Sequence, residues 1–292
     1  MGMVPARSIV SHSAICKDGA MLFLPPSPSH NNLESPDIHA ASVQKYPVGT
    51  LAWYPGVGKK FRYCCAAEDI TEATSARLLG NASYTPSAVA AGFSIAANAH
   101  GYNGLAYAQS EIGDMHVDID LTSIAVNWFE GAHLQLLPGA NPISQYYVIA
   151  SDASEAAYTR LYLDKPLTQT LTVAMYVGVN ASPYKRLVNG DHAFVGAHYM
   201  SFIGLPFVNA DSGEFFWVQT AGPCLIQPGS WADDRLPGRA PAYREVFAQV
   251  DGAIVSPWTN TAYTDGKQRV GYLLDATAHE YGSVFIMLQL ES

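Results

Sequence analysis

The sequence predicts a mainly β protein with an antiparallel sandwich or barrel body. Three observations carry that reading: many short apolar stretches rich in Val, Ile, Tyr, Phe and Trp, turn residues between them, and a single stretch with helical spacing. β-branched and aromatic side chains suit a pleated, half-buried surface, and Gly and Pro punctuate such strands. To the body the sequence adds an N-terminal hairpin, one short helix and an extended N-terminal arm. The expected division is 1–45 for the arm, 46–80 for the hairpin and helix, and 81–292 for the β-rich body. A subdivision of the body is expected near 225–250, where Gln227-Pro228-Gly229-Ser230 and Leu236-Pro237-Gly238-Arg239-Ala240-Pro241 form a loop-rich, more charged segment.

The arm is defined by Leu24-Pro25-Pro26-Ser27-Pro28, which proline keeps out of helices and central strands. Its apolar residues Ile9, Val10, Ile15, Met21, Leu22, Phe23 and Leu24 suit a segment that becomes ordered on a neighbouring subunit. The hairpin follows: Thr50-Leu51-Ala52-Trp53-Tyr54, a Pro55-Gly56-Val57-Gly58 turn, and Lys59-Lys60-Phe61-Arg62-Tyr63-Cys64 returning. In 66–80, Ile70, Ala73 and Arg77-Leu78 fit a three-to-four repeat, with Glu68 and Asp69 at its start and Gly80 at its end, so a helix is expected there.

Beyond residue 81 the pattern is of strands. His116-Val117-Asp118-Ile119-Asp120-Leu121 alternates strictly, the mark of a strand with one wet face. Strands are also expected within 128–139 and at 145–150, 159–167, 171–179, 269–274 and 283–290. Phe215 to Thr220 reads as a buried aromatic strand stopped by Gly222-Pro223. No repeat of fixed period is visible, which argues against a propeller or a β-helix.

The 292-residue chain is 49% hydrophobic and 14% charged, with a net charge of −9. The low charge implies little conventional solvated surface, so other subunits are expected to cover much of the exterior. An acidic chain without a basic stripe is a poor nucleic-acid binder. Cys16, Cys64, Cys65 and Cys224 include no C-x-x-C pair and read as free thiols in a reducing compartment. Ala20-Met21-Leu22-Phe23-Leu24 is too short for a signal peptide, and no apolar run approaches a membrane span. The Asn-Ala-Ser sequons at Asn81 and Asn180 then read as chance.

Catalytic chemistry finds little support. His116, Asp118 and Asp120 share a strand face and have the atoms to bind a metal, but no second ligand cluster accompanies them, so a solvated face is expected. Gly56-Val57-Gly58-Lys59-Lys60 fails the phosphate-loop spacing, because Trp53 holds the first glycine position and Lys60 the Ser/Thr position. Ser182-Pro183-Tyr184-Lys185 matches S-x-x-K but follows a strand and lacks its companion motifs. His192 and His198 near Asp191 read as loop and strand residues. A glycosidase pair among Glu111, Asp114, Asp211 and Glu214 stays open, since sequence cannot place carboxylates in space. Trp217 and Gln219 share one strand face and Phe216 and Val218 the other, as core and pairing positions. No catalytic, cofactor-binding or metal residue is expected.

One segment carries a resemblance. Phe216-Trp217-Val218-Gln219-Thr220-Ala221-Gly222-Pro223 resembles the Y-x-W-V-Q-T-x-G-P stretch of structural proteins in tailed-phage particles. Weaker segments follow in the same order. Gly49 to Trp53 with Lys60-Phe61-Arg62-Tyr63 is similar to that family's opening, and Trp128 to Leu134 to its glycine turn. Tyr147 to Ala150, Leu163 to Leu167, Ser182-Pro183-Tyr184, Phe202 to Pro206 and Val270-Gly271-Tyr272 complete it, so the resemblance spans about residues 46–292. Ala132 replaces the turn's second glycine, Ser182 stands where asparagine is common, and the first 45 residues have no counterpart. The resemblance implies a non-enzymatic capsid decoration (cement) protein on the outer face of an icosahedral head, made in the bacterial host cytoplasm. Its implied partners are the major capsid protein and itself, as a homotrimer or homodimer. Neither nucleic acid nor membrane is a partner, and no cofactor is needed. Two further readings remain: a tail fibre or tailspike component binding host glycans through Trp231, Tyr243, Trp258 and Tyr263, and a glycan hydrolase on a β scaffold.

Overall fold

The computed structural model describes residues 13–15, 21–23, 39–71, 76–81, 101–122, 124–137, 144–153, 157–173, 175–189, 201–229, 244–249, 251–256, 268–275 and 283–291. Every regular element among them is a strand. The chain opens with β1 (Ser13–Ile15), β2 (Met21–Phe23), β3 (Leu51–Tyr54) and β4 (Lys59–Ala66), each antiparallel to the next. The expected hairpin is β3–β4, turned by residues 55–58 with Gly58 at φ 68°. Next comes β5 (Leu79–Asn81).

The helix expected over 66–80 is not what the described residues form; 72–75 lie outside them. Ile70 and Leu78, which anchored the helical spacing, are both buried but enter different cores. The backbone of this segment is spent on strand-type pairing instead: Ala66 N donates to Glu214 O at 2.9 Å, and Ile70 exchanges bonds with Ala210 at 2.7 and 3.2 Å. Nor do the acids cap a helix. Glu68 accepts from Asn189, and Asp69 accepts from the Ser212 amide at 3.0 Å.

Residues 101–180 hold six consecutive strands that form a sheet of their own: β6 (Gly101–Leu105), β7 (His116–Ile119), β8 (His133–Leu137), β9 (Ser144–Ser151), β10 (Thr159–Leu163) and β11 (Tyr176–Asn180). Their order is β6-β11-β8-β9-β10-β7, and the Ala106–Ile119 bridge joins the two ends into a barrel. Alternation does the rest. Val117, Ile119, Leu134, Leu136, Leu161, Leu163, Val177 and Val179 point inward with Phe129 into one core, each fully buried apolar side chain contributing about 1.5–3 kcal/mol. The strand expected from 171 begins only at Tyr176, because Leu171 first makes an isolated bridge to Ser110.

The chain then returns as β12 (Lys185–Val188), β13 (Phe202–Pro206) and β14 (Phe215–Ile226). β12 pairs with both β5 and β4, so residues 82–184 interrupt one sheet and carry the six-stranded barrel as an insertion. The interrupted sheet closes as well, through β4–β12–β5–β13–β14 and back to β4. We call these the inserted and the split barrel. Cys64, Ala66, Ile70, Leu79, Leu187, Phe216 and Val218 fill the split barrel.

Gly222-Pro223 does not stop the strand, contrary to the sequence expectation; β14 runs through it for 12 residues. Gly222 adopts φ 99°, and a Cβ there would lie 2.6 Å from Gly58 O. Only glycine permits that bend. At the bend β14 leaves β4 and pairs with the C-terminal strands. These are β15 (Glu245–Ala248), β16 (Ile254–Val255), β17 (Arg269–Asp275) and β18 (Val284–Gln289), in the order β14-β18-β17-β15-β16. Residues on both sides of the expected 225–250 subdivision, such as Cys224 and Ile254, share one core with Leu78, Phe202 and Leu205.

One unit occurs twice, without forming a periodic array. The strand–turn–strand unit of residues 101–119 recurs at 201–218. Gly104-Leu105 matches Gly204-Leu205, Tyr107 matches Phe207, and Glu111, Gly113 and Asp114 match Asp211, Gly213 and Glu214. Gly113 and Gly213 share a positive φ, 98° and 85°. The Glu111 amide donates to Asp114 Oδ2 at 2.8 Å, and the Asp211 amide to Glu214 Oε2 at 2.9 Å. The supporting strands match too. Gly113 N donates to Leu167 O as Gly213 N donates to Ala66 O, and Ser110–Leu171 bridges as Ala210–Ile70 does. The two barrels therefore share this unit and its supporting contacts, in permuted order around the insertion, although one closes with five strands and the other with six.

Candidate functional site

The residues expected to make contacts fall in the arm. Ile15 lies in β1 and Met21, Leu22 and Phe23 in β2; Ile9, Val10 and Leu24 lie outside the described residues. Met21, Leu22 and Phe23 stand opposite Trp53, Ala52 and Leu51, and Ile15 stands opposite Met21. Within one chain, then, these parts of the arm extend the sheet beside β3.

The side chains weighed for chemistry are occupied with structure. Asp118 is buried and paired with Arg160 through two bonds of 2.8 and 2.9 Å, while Val117, Ile119 and Leu121 enter the core as the alternation expects. Among the described residues no group of three His, Cys, Asp or Glu could hold a metal. The four carboxylates weighed as a glycosidase pair divide two and two between the matching turns, where Asp114 and Glu214 each accept a backbone amide. Ser182 is buried at the turn into β12, and Lys185 N donates to its carbonyl at 3.1 Å. Asp191, His192, His198, Trp231, Tyr243, Trp258 and Tyr263 lie outside the described residues.

The resembling strand is interior. Phe216 and Val218 face into the split barrel, and Trp217 packs with Tyr46 and Tyr63 at ring separations of 5.5 and 5.1 Å. Gln219 is fully buried; its Nε2 donates to Ala221 O at 3.0 Å and Pro223 O at 3.2 Å, bracing the bend. Thr220 Oγ1 donates to Glu291 Oε2 at 2.9 Å.

Sequence reasoning missed the joint between the barrels. Gly131, at φ 81°, lets the turn at 126–131 approach Val48 O and Ser182, which a Cβ would meet at 3.2 Å. Lys185 Nζ donates to Asn127 O, and Gln44 Nε2 donates to Glu130 Oε2 at 3.1 Å. The Trp128 ring lies 6.0 Å from Lys185 Nζ and 5.4 Å from the Arg186 guanidinium. Burial pushes the Glu130 carboxyl above its usual range, against the pull of Gln44 and Lys185. It pulls the Lys185 ammonium down, although Glu130 and Cys65 oppose this. A second knot ties the C-terminus in. Arg62 Nε meets Glu291 Oε1 at 2.6 Å, Arg62 Nη1 donates to Gly49 O at 2.7 Å, and the Tyr184 hydroxyl donates to Glu291 Oε1 at 2.5 Å. Lys185-Arg186 directly after Pro183-Tyr184 was the one available signal, and only as adjacent basic residues. The chemistry these groups support is cross-bridging of segments far apart in sequence.

Part of the described surface is apolar sheet. Leu105 and Tyr176 stand opposite each other on β6 and β11, exposed by 42% and 56%. Leu225 and Phe285 stand opposite each other on β14 and β18, and both are exposed. No family model matches the chain, and neither a curated protein nor a solved structure does.

Proposed function

We propose that this chain is a non-enzymatic structural protein of a tailed-phage particle, a decoration (cement) protein that binds the outer surface of the head and stabilises it. The observation that carries the reading is the Trp217–Pro223 segment, whose resemblance to phage virion proteins falls on the strand that joins the split barrel to the C-terminal sheet. A segment braced at Gln219, Gly222 and Glu291 is a framework feature, which suits a resemblance in fold rather than in a reactive site. The low charge content and the exposed apolar pairs suit a body meant to be covered. Its partners in this reading are the major capsid protein and further copies of itself, and many copies on a symmetric shell add avidity. The arm, with Ile15 and Met21 to Phe23, adds contact area there.

Quantitative mass spectrometry of purified particles tests this. The expected result is a ratio to the major capsid protein of one, or a simple fraction such as about one third, as a symmetric lattice requires. Removing residues 1–45 should lower that occupancy. A handful of copies per particle would instead indicate a tail component that binds glycans, and absence from particles would end the virion reading.

A further inference from the structure

The arm meets the body along a single line. Among the described residues β1 pairs only with β2, and β2 only with β1 and β3. Met21, Leu22 and Phe23, set against Trp53, Ala52 and Leu51, make up the whole of that junction. A two-stranded hairpin this short is marginal at best in water, so the arm takes its form by lying on a β3 edge. A bare β3 is in turn an unpaired edge, a template for any strand that can reach it.

Which copy's β3 is used depends on the connection. The chain is tied to its own body again at Ala41, which exchanges backbone bonds with Phe215 at 2.9 and 2.8 Å. β2, β3, β4, β14 and Ala41 are successive neighbours, and the rows of Phe23 and Ala41 cross β4 at Arg62 and Cys65. At about 4.8 Å between neighbours and about 3.3 Å per residue along β4, the gap from Phe23 to Ala41 is about 22 Å even in a flat sheet. The chain supplies 41 − 23 = 18 residue steps for it, with Pro25, Pro26, Pro28 and Pro36 among the residues between. A proline-rich spacer covers about 3.1 Å per residue, a reach of about 55 Å. A connection of hairpin length would confine β2 to its own body. This one has more than twice the length that pairing at home requires.

We propose that two copies of this chain exchange arms. β2 of each lies antiparallel on β3 of the other, in the register already described, and the chain crosses between Phe23 and Ala41. Exchange changes only which copy supplies the pairing, and a reciprocal swap satisfies both β3 edges in one association, which gives an isologous dimer. The arm thereby gains a specific acceptor, a second copy of this chain. No capsid is needed, so failure of the exchange would leave the virion reading standing, and absence from particles would leave the exchange standing.

A disulfide across the junction reads which copy is used. In a Cys16→Ser background, Leu22→Cys and Ala52→Cys place thiols at directly opposed positions. One chain carrying the first change is co-expressed with a differently tagged chain carrying the second, and the product is mildly oxidised. A covalent heterodimer is expected on a non-reducing gel, with peptide mapping that joins positions 22 and 52. Both changes on one chain should likewise give a covalent dimer. A disulfide-closed monomer, or a folded double variant without the link, would overturn the proposal. Ala52 is fully buried, so light scattering on unsubstituted protein supplies a second reading. The full chain should run as a dimer and a chain lacking residues 1–23 as a monomer. A monomeric full chain, or a dimer that survives the deletion, would also overturn it.

Discussion

The split and inserted barrels carry the same strand–turn–strand unit in opposite surroundings. At Leu205 the unit is roofed by four further strands; at Leu105 it meets solvent. Inside, the contrast is reversed. The inserted barrel is filled by large side chains such as Phe129, Leu134, Leu136, Leu161 and Leu163. The split barrel's smaller interior sets Cys64, Ala66 and Ala210 beside Ile70, Leu79, Leu187, Phe216 and Val218. Each barrel thus has an apolar interior of its own, and the split barrel has the C-terminal sheet laid over it as well. A shared frame fixes where side chains point, and the elements added around it decide which are buried.

The Leu pair gives the largest expected difference. Leu205→Ala should cost about 2–5 kcal/mol, as for a buried leucine. Leu105→Ala should stay within about 0.5 kcal/mol. Chemical denaturation reads both, and equal losses would mean that the two faces are not equivalent in the way described.

The matching glycines give a smaller one. A Cβ on Gly204 would lie 2.7 Å from Val218 Cγ2 and 2.9 Å from Gln219 O, in packed sheet. On Gly104 it would meet the Tyr102 hydroxyl, the far end of a side chain that bonds Leu105 O at 2.6 Å. Gly204→Ala should therefore cost about 1–3 kcal/mol. Gly104→Ala should cost roughly 1 kcal/mol, the worth of the displaced hydrogen bond. A larger loss at Gly104 would reverse the ranking of the two interiors.

The joint gives the smallest. Glu130's folded pKa is raised, so its protonated form is favoured by folding; that contribution is full below the ordinary carboxylate range and lost as pH rises through the folded value. The shift already includes the attraction of Lys185. Glu130→Gln should then melt at or above wild type at neutral pH, with the two curves merging in acid. A lower melting temperature at neutral pH would show that Glu130 holds the barrels together as a charge.

The sequence was most legible where a strand has one wet face or a turn has its own chemistry. Val117, Ile119 and Leu121 entered the core as expected, although Asp118 on the expected wet face is buried against Arg160, and Pro55 to Gly58 turned the hairpin. It misled where a local pattern has two physical causes. Ile70, Ala73 and Arg77-Leu78 fit a helix face, yet here Ile70 makes a bridge to Ala210 and Leu78 enters a separate core. Gly222-Pro223 fits a strand end, yet here it is a bend between two pairing partners. The repeat was hidden because its matches are scattered and its supporting strands precede the unit in one barrel and follow it in the other. Glu130, Lys185, Arg62 and Glu291 were invisible because their partners lie far away in sequence: Arg62 and Glu291 are 229 residues apart.

The insertion also sets an order of events during synthesis. By the time Asn180 has left the ribosome, every strand of the inserted barrel exists, from β6 to β11. Of the split barrel only β4 and β5 have been made, and they must wait for β12, β13 and β14. Contacts of such long separation form slowly. The nascent chain thus passes through a stage in which its first-made core strands, Cys64 and Leu79 among them, have no barrel to enter, while the later-made barrel is already complete.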